Sequence, residues 1–401
     1  MRSYWHAKTL FVPHRLPGRI TADVAVIGAG FAGLWFAHMA SRRGIRVVVL
    51  DAEAPGYGAS GRNGGLMTGG LALSPSDAVQ QWGEALALNL YHRVVRAQQA
   101  IQEAAAQAMG VSDFKQDGCL VLPADETEWQ KLKESAAWLA RHGFPGGIVS
   151  GQDLPQSLKN YWPGGLVYPT DGSWQPMKLV QWLVRAIQSR GGEIYGRTAV
   201  RSIQEESGGV EVRTDQGQVA ADYAVLAVNA SLGRLVPALA DAVVPTRGQM
   251  LVSEPVDPLP YTWAVSADWG YLYWHQRPDG RIALGGFRNL DIDGEGSDEL
   301  ALNPRIQEEL SRWLAERIVG RPVAVDYRWA GIMGFTPDRL PLVGPWTARQ
   351  LVLAGFNGHG STNTYMAAEH LMRAMAGDED WLAPLSPRRF SRTKGDNPCK
   401  R

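Results

Sequence analysis

A chain of 401 residues, 45% of them hydrophobic, is long enough for two domains. Its 40 basic and 40 acidic residues cancel, so no net field draws it to nucleic acid or to an anionic membrane. Two cysteines, Cys119 and Cys399, are too few and too far apart for a disulfide framework or a zinc site, which suits a reducing cytoplasm. The opening residues, Met1-Arg2-Ser3-Tyr4-Trp5-His6, form no apolar leader. No run reaches the ~18–20 apolar residues of a membrane span, so a cytoplasmic location is expected.

The first strong element is Val24-Ala25-Val26-Ile27, a buried strand running straight into Gly28-Ala29-Gly30-Phe31-Ala32-Gly33. A helix is expected over 32–43, closed by Gly44, and then a strand over 47–50 ending at Asp51. Strand, glycine turn, helix and strand form a dinucleotide-binding unit. Gly28 permits the turn, Gly30 lets the backbone approach a pyrophosphate, and Gly33 lets helix and strand pack closely. The pyrophosphate would lie on the helix N-terminus, where free N–H groups and the dipole favour an anion. Asp51, 23 positions after Gly28, is placed to accept from a ribose hydroxyl. Ala52 begins a glycine- and serine-rich stretch, Gly58-Ala59-Ser60-Gly61-Arg62-Asn63-Gly64-Gly65. Such a loop suits an extended cofactor wrapped by backbone amides, and it favours FAD over NAD.

Further along, helical periodicity covers 78–109, stopped by Gly110, and 126–141, capped by His142-Gly143, with a short strand at 120–122 between them. A helix over 177–189, a strand at 193–195 and a region 200–212 follow. Hairpin signals stand at Gly208-Gly209 and Asp215-Gln216-Gly217. A buried strand over 223–228 runs into Asn229-Ala230-Ser231. A strand-rich block covers 250–287, then a helix 304–319, a strand 351–354 and a last helix 362–375. The strands at 193–195 and 223–228 would join the first βαβ sheet. Gly355-Phe356-Asn357-Gly358-His359-Gly360-Ser361-Thr362 opens the last helix, whose N-terminus would stabilise negative charge at a flavin's N1–C2=O edge. An ordinary cap by Ser361 or Thr362 is the alternative.

Asp23 to Gly33, Gly58 to Gly65, Gly334-Phe335-Thr336-Pro337-Asp338-Arg339-Leu340-Pro341-Leu342-Val343-Gly344 and Gly355 to Gly360 together resemble the D-amino-acid-oxidase superfamily of flavoenzymes. The branch most similar is that of gamma-glutamylputrescine oxidase-like and glycine/sarcosine oxidase-like proteins. The resemblance implies an α/β fold: a discontinuous Rossmann-type FAD-binding domain with an α+β substrate domain built on an antiparallel sheet over the flavin's re face. The FAD domain would take 1–76, 154–245 and 327–401, and the substrate domain 77–153 and 246–326. The implied cofactor residues are Gly28, Gly30, Phe31, Ala32, Gly33, Asp51, Ala52, Ala59, Ser60, Arg62, Asn63, Gly64, Gly65, Val200, Asn229, Ala230, Gly355, Asn357, Gly358, His359, Gly360, Ser361 and Thr362. The implied reaction is hydride removal from the carbon beside a primary or secondary amine, giving an imine that water hydrolyses. Oxygen or another acceptor would take the electrons. An α-amino acid oxidase and a non-catalytic flavin-binding redox protein are the alternatives.

Such chemistry asks mainly for orientation and exclusion of water. Candidate substrate-facing groups are Tyr271, Tyr273 and His275, which alternation puts on one strand face opposite Leu272, Trp274 and Gln276. Core packing explains Tyr271 and Tyr273 equally well, and better explains Trp263 and Trp269. His359 stands in a G-H-G pattern beside the flavin of the resembled branch. His38, His92 and His142 read as structural. Relatives that oxidise amino acids carry an arginine just before the T-P-D segment; here Met333 stands in that place. Arg247, Arg277 and Arg288 could substitute, although each reads as a surface or strand-edge residue. Neither cysteine matches a covalent flavin link, and no lysine occurs between Lys178 and Lys394, so the FAD is expected to be non-covalent. No metal site is expected.

Overall fold

Val24–Ile27 and Val47–Leu50 are apolar at every position and buried on both faces, the mark of parallel strands covered by other elements. They pair in parallel, Val24 opposite Val47. Tyr223–Leu226 joins on the other side of Val24–Ile27, also parallel, and Glu193–Tyr195 joins Val47–Leu50. The computed structural model describes residues 1–8, 14–109, 113–377 and 383–391. Gly110, Lys394 and Cys399 lie outside the described residues.

The complete sheet has six strands, in the order Leu342–Pro345, Gln350–Ala354, Tyr223–Leu226, Val24–Ile27, Val47–Leu50, Glu193–Tyr195. Only the edge strand Leu342–Pro345 runs antiparallel to its neighbour. A second sheet of four strands, Arg19–Thr21, Gln218–Ala221, Gly209–Thr214 and Val200–Glu206, shares a core with it. That core joins Ala25, Ile27, Val48, Leu50, Leu226 and Val352 to Val212 and Val219.

Elsewhere, eight strands form one sheet, in the order Val325–Phe335, Val244–Pro255, Arg281–Gly286, Leu272–Gln276, Ala264–Ala267, Cys119–Leu122, Gly164–Tyr168, Gly147–Ser150. One of its pairs, Ala264–Ala267 with Cys119–Leu122, is parallel. Leu251, Trp274, Ile282 and Leu284 face Ile306, Leu310 and Leu314, the apolar stripe of the helix that starts at Pro304. That helix keeps α winding only over Pro304–Trp313 and widens to π winding over Leu314–Val319.

The chain divides into two compact units. One comprises Met1–Leu10, Gly61–Leu179 and Arg247–Ile332, the other Phe11–Ser60, Val180–Thr246 and Met333–Arg401. Met1–Leu10 and Gly61 onward fall in the unit with the eight-stranded sheet, whereas the expected bounds put 1–76 in the FAD domain. The next break falls after Leu179 rather than 153, because Gly164–Tyr168 is a strand of the eight-stranded sheet. Residues 4–7 form a short helix whose Tyr4 and Trp5 are buried against Tyr327 and Trp329.

Three other differences have plain causes. The long helix expected over 78–109 is two helices, Pro75–Trp82 and Glu84–Met109, parted at Gly83 with φ 81°. Val325–Phe335, which alternation does not announce, is a strand through ladder partners distant in sequence. Trp269, expected in the core, is 41% exposed at a turn where Asp268 and Trp269 both have φ 52°. No helix among the described residues is long and apolar enough to cross a membrane.

Candidate functional site

The strand Val24–Ile27 delivers its chain into Gly28, whose φ of 106° few side chains tolerate. A Cβ there would stand 2.4 Å from the Ala227 carbonyl oxygen, so the adjacent strand also demands glycine. A Cβ on Gly33 would stand 2.0 Å from the Gly28 oxygen, and this fixes how closely the helix Phe31–Arg42 crosses the turn. At Gly30 the nearest atom is Ser60 Oγ, 3.1 Å from such a Cβ. Ser60 Oγ also accepts the Phe31 amide at 2.9 Å. Gly30 is the N-cap and has no side chain to cap with. Phe31 and Ala32 are buried in the first turn.

Asp51 closes Val47–Leu50. Its Oδ2 accepts the Ala29 amide at 2.7 Å and its Oδ1 the Glu53 amide at 2.8 Å. Burial raises its pKa above the usual carboxylate range, against the lowering pull of those two amides. Each carboxylate oxygen can accept more than one hydrogen bond, so a ribose hydroxyl could still be received. A glycine turn that tolerates no Cβ, a helix start capped from a neighbouring loop and a carboxylate at the next strand end are the parts a dinucleotide needs. The residues present fit FAD.

The last helix, Gly360–Met375, has His359 at its N-cap, and that residue makes no side-chain cap hydrogen bond. Its approach is rigid. Asn357, with φ 52°, accepts the Thr336 amide at 2.8 Å through Oδ1 and donates to the Gly355 carbonyl at 2.7 Å through Nδ2. Asn229, with φ 44°, accepts the Gly355 amide at 2.9 Å. A Cβ on Gly334 would stand 2.8 Å from Asn229 Oδ1 and 3.1 Å from the Ala230 nitrogen. Asn229 and Asn357 therefore shape the turn with their side chains. Gly358 is exposed, and His359 Nδ1 lies 3.2 Å from the Asn357 oxygen. A Cβ on Gly358 would lie 3.6 Å from the Met333 sulfur, so the half-buried Met333 packs beside this turn. Val200 starts a strand and packs against the core of this unit. Ala52 is exposed, and Ala59 lies in a single turn, Ala59–Gly61.

In the other unit, the loop 61–65 lies against the strand Leu272–Gln276. A Cβ on Gly64 would meet the Tyr273 ring at 2.8 Å, and one on Gly65 would meet His275 Nε2 at 2.9 Å. Alternation thus placed Tyr273 and His275 correctly on one face, with Leu272 and Trp274 in the core behind. It did not foresee their neighbours. His275 is 1% exposed and pairs with the Gly64 oxygen at 3.0 Å; burial and the Arg277 charge push its pKa down to about 3. The imidazole is thus enclosed, with its Nε2 turned to a backbone carbonyl. Tyr273 is half-buried, its pKa raised by burial. Tyr271 precedes the strand and carries the Arg288 guanidinium 4.2 Å above its ring.

Two of the arginines expected at the surface are buried. Arg247 pairs with Glu295 at 3.0 Å, and Arg277 pairs with Asp113 at 3.1 Å and lies over Trp5. Both already have a carboxylate partner. Arg62 is 2% exposed, donating to the carbonyls of Ala330 and Met1. Ser3, Trp5 and Trp329 also grip this loop, and sequence reading missed them because Ser3 and Trp5 precede their partners by 58 residues with no local pattern. Cys119 is buried and its thiol pKa is pushed well up by that burial. Among the described residues no group of acidic, histidine or cysteine side chains could hold a metal.

The profile of the DAO family, described as FAD dependent oxidoreductase, matches residues 23–374. The chain is 28% identical over 372 residues to gamma-glutamylputrescine oxidoreductase of Escherichia coli, covering 90% of this chain and 85% of that protein. A probable oxidoreductase OrdL of Rhizobium meliloti is 28% identical over 373 residues, covering 89% and 84%. Among solved structures, glycine oxidase from Geobacillus kaustophilus superposes with a TM-score of 0.79 at 21% identity, covering 92% of this chain and 99% of that one.

Proposed function

Since the chain belongs to the DAO family of FAD-dependent oxidoreductases, we propose that it oxidises an amine at the carbon next to nitrogen. The C–H bond breaks with its electron pair, the nitrogen lone pair closes a C=N bond, and water hydrolyses the resulting imine to a carbonyl compound and a smaller amine or ammonia. FAD, when bound, supplies the hydride acceptor and passes the electrons on to oxygen or another acceptor. The glycine turn and the start of Phe31–Arg42 would hold the pyrophosphate, and Asp51 the ribose. The start of Gly360–Met375 would offer amides to the negative charge of the reduced ring. The described cysteine, Cys119, is buried in a strand, in keeping with non-covalent FAD. We place the protein in the cytoplasm, as its cysteine usage suits.

Met333 carries the choice of an amine over an α-amino acid. A thioether offers no partner to a carboxylate, and the buried Arg247 and Arg277 are held by Glu295 and Asp113. The E. coli relative, whose name points to a putrescine derivative, supports the same choice. Anaerobic mixing of the protein with a panel of amines and amino acids tests it through the long-wavelength flavin band. Polyamine-like or secondary amines are expected to bleach the band, and glycine and D-amino acids to leave it. Bleaching by amino acids alone would overturn the amine reading. Readmitting air then separates an oxidase from a dehydrogenase.

A further inference from the structure

Four successive carbonyls of the glycine loop each receive a side-chain hydrogen bond from outside it. Ser3 Oγ donates to the Gly61 oxygen at 2.5 Å and Trp329 Nε1 to the Arg62 oxygen at 2.9 Å. Trp5 Nε1 donates to the Asn63 oxygen at 2.8 Å, and His275 Nε2 lies 3.0 Å from the Gly64 oxygen. A carbonyl only accepts, so His275 must carry its proton on Nε2. Its Nδ1 is buried without a partner, which costs stability and argues that the Nε2 contact is the reason for a histidine here.

The three ring donors form one cluster. Trp5 lies parallel to His275, centroids 6.4 Å apart, and edge-on to Trp329 at 6.2 Å. The carbonyls of Arg62, Asn63 and Gly64 therefore point toward a single group of rings. In a trans peptide the N–H points opposite to the C=O. Holding the Arg62 and Asn63 oxygens on the ring side thus turns the Asn63 and Gly64 amides away from it. The Gly65 amide is fixed as well, by Asn63 Oδ1 at 2.9 Å. No slack remains on the ring side, where a Cβ on Gly65 would meet Trp5 at 2.8 Å.

We propose that Ser3, Trp5, His275 and Trp329 are positioning residues that orient the Asn63 and Gly64 amides for an oxygen of bound FAD. The inference rests on the FAD reading and does not depend on which amine is oxidised. It makes an N-terminal segment 58 residues distant in sequence a working part of the cofactor loop.

The test compares FAD dissociation constants, by flavin fluorescence, and the visible circular dichroism of the bound flavin. Trp5→Phe, Trp329→Phe and His275→Phe each keep a ring and remove a donor to one loop carbonyl. Each is expected to weaken FAD binding by about tenfold and to alter the flavin dichroism. His275→Gln restores an N–H and should recover most of the affinity. Ser3→Ala, which deletes one hydroxyl and endangers folding least, should weaken binding by about fivefold. Tyr4→Phe is the control: it removes the bond to Asp279 from the same segment without touching the loop, and should leave both readings unchanged. If the ring variants and Ser3→Ala lower only the melting temperature, with affinity and dichroism intact, the segment is merely structural and the proposal falls. Failure of every amine to bleach the native flavin would sink the substrate reading and leave this comparison standing.

Discussion

In the unit with the parallel sheet, close approach is achieved by missing side chains; in the unit with the eight-stranded sheet it is achieved by large ones. Gly28 and Gly33 leave room for backbone to meet backbone, and Asp51 ties the turn down from the neighbouring strand. Around residues 61–65 the backbone is instead clamped by Trp5, Trp329 and His275, whose ring N–H groups reach across long separations. The first device is local in sequence and tolerates almost no substitution. The second is distributed, so each member carries a share and each can be changed alone. A cofactor fold can thus combine a turn fixed by sterics with a loop fixed by hydrogen bonds.

The harshest way to break this contrast is Gly33→Ala. With its Cβ 2.0 Å from the Gly28 oxygen, the helix must move off the turn, at a cost of about 3 kcal/mol. Urea unfolding and the flavin-to-protein absorbance ratio should both drop sharply; a stable variant with full flavin would show that the turn is more pliant than its geometry.

Asn357→Ala comes next. It deletes an acceptor shared by the Thr336 amide and hydroxyl and a donor to Gly355, all buried, for a loss of about 2–3 kcal/mol in the same unfolding measurement. An effect below about 0.5 kcal/mol would mean that the terminal turn holds itself.

Asp171 tests how the other unit handles charge. Burial raises its pKa to about 7, opposed by hydrogen bonds from the Gly69 amide and Gln98. The folded form keeps a proton that the unfolded chain gives up near pH 4. Its contribution is therefore complete below that pH and is lost as pH rises through about 7. Melting temperatures should decline less for Asp171→Asn than for the native protein between about pH 4 and pH 7, with the gap opening across that window and staying constant from there to pH 9. Parallel curves would show that the carboxyl is ionised throughout.

The mildest change is Trp269→Ala. The ring is exposed at a left-handed turn, held through its amide by Glu128, and stability should move by about 0.5 kcal/mol or less. A large loss would make this aromatic part of the clamp system after all.

The same contrast explains what could be read beforehand. Gly28, Gly30, Gly33 and Asp51 lie within one strand–helix–strand unit, and their spacing alone describes their contacts. The strand at 193–195 and its membership of the first sheet could be read beforehand, whereas its place beside Val47–Leu50 is a long-range pairing that no local pattern names. Alternation put Tyr273 and His275 on one face but could not say that a loop over 200 residues earlier covers it. Trp5 and Trp329 were invisible because nothing near them in sequence marks a donor role. Arg247 and Arg277 looked like surface residues because Glu295 and Asp113, which allow their burial, are 48 and 164 positions away.

Tyr223–Leu226 stands inside the six-stranded sheet, flanked by Val24–Ile27 and Gln350–Ala354. The nascent chain therefore carries the first two strands, Val24–Ile27 and Val47–Leu50, for some 300 residues before the last partner emerges. At ~5–20 residues per second that delay is roughly 15–60 s. Throughout it, an apolar strand edge stays open to other chains. Recovery of active protein during synthesis should accordingly depend on chaperone supply and temperature more than the stability of the finished fold would suggest. The glycine turn is made early, and the sheet that frames it closes late.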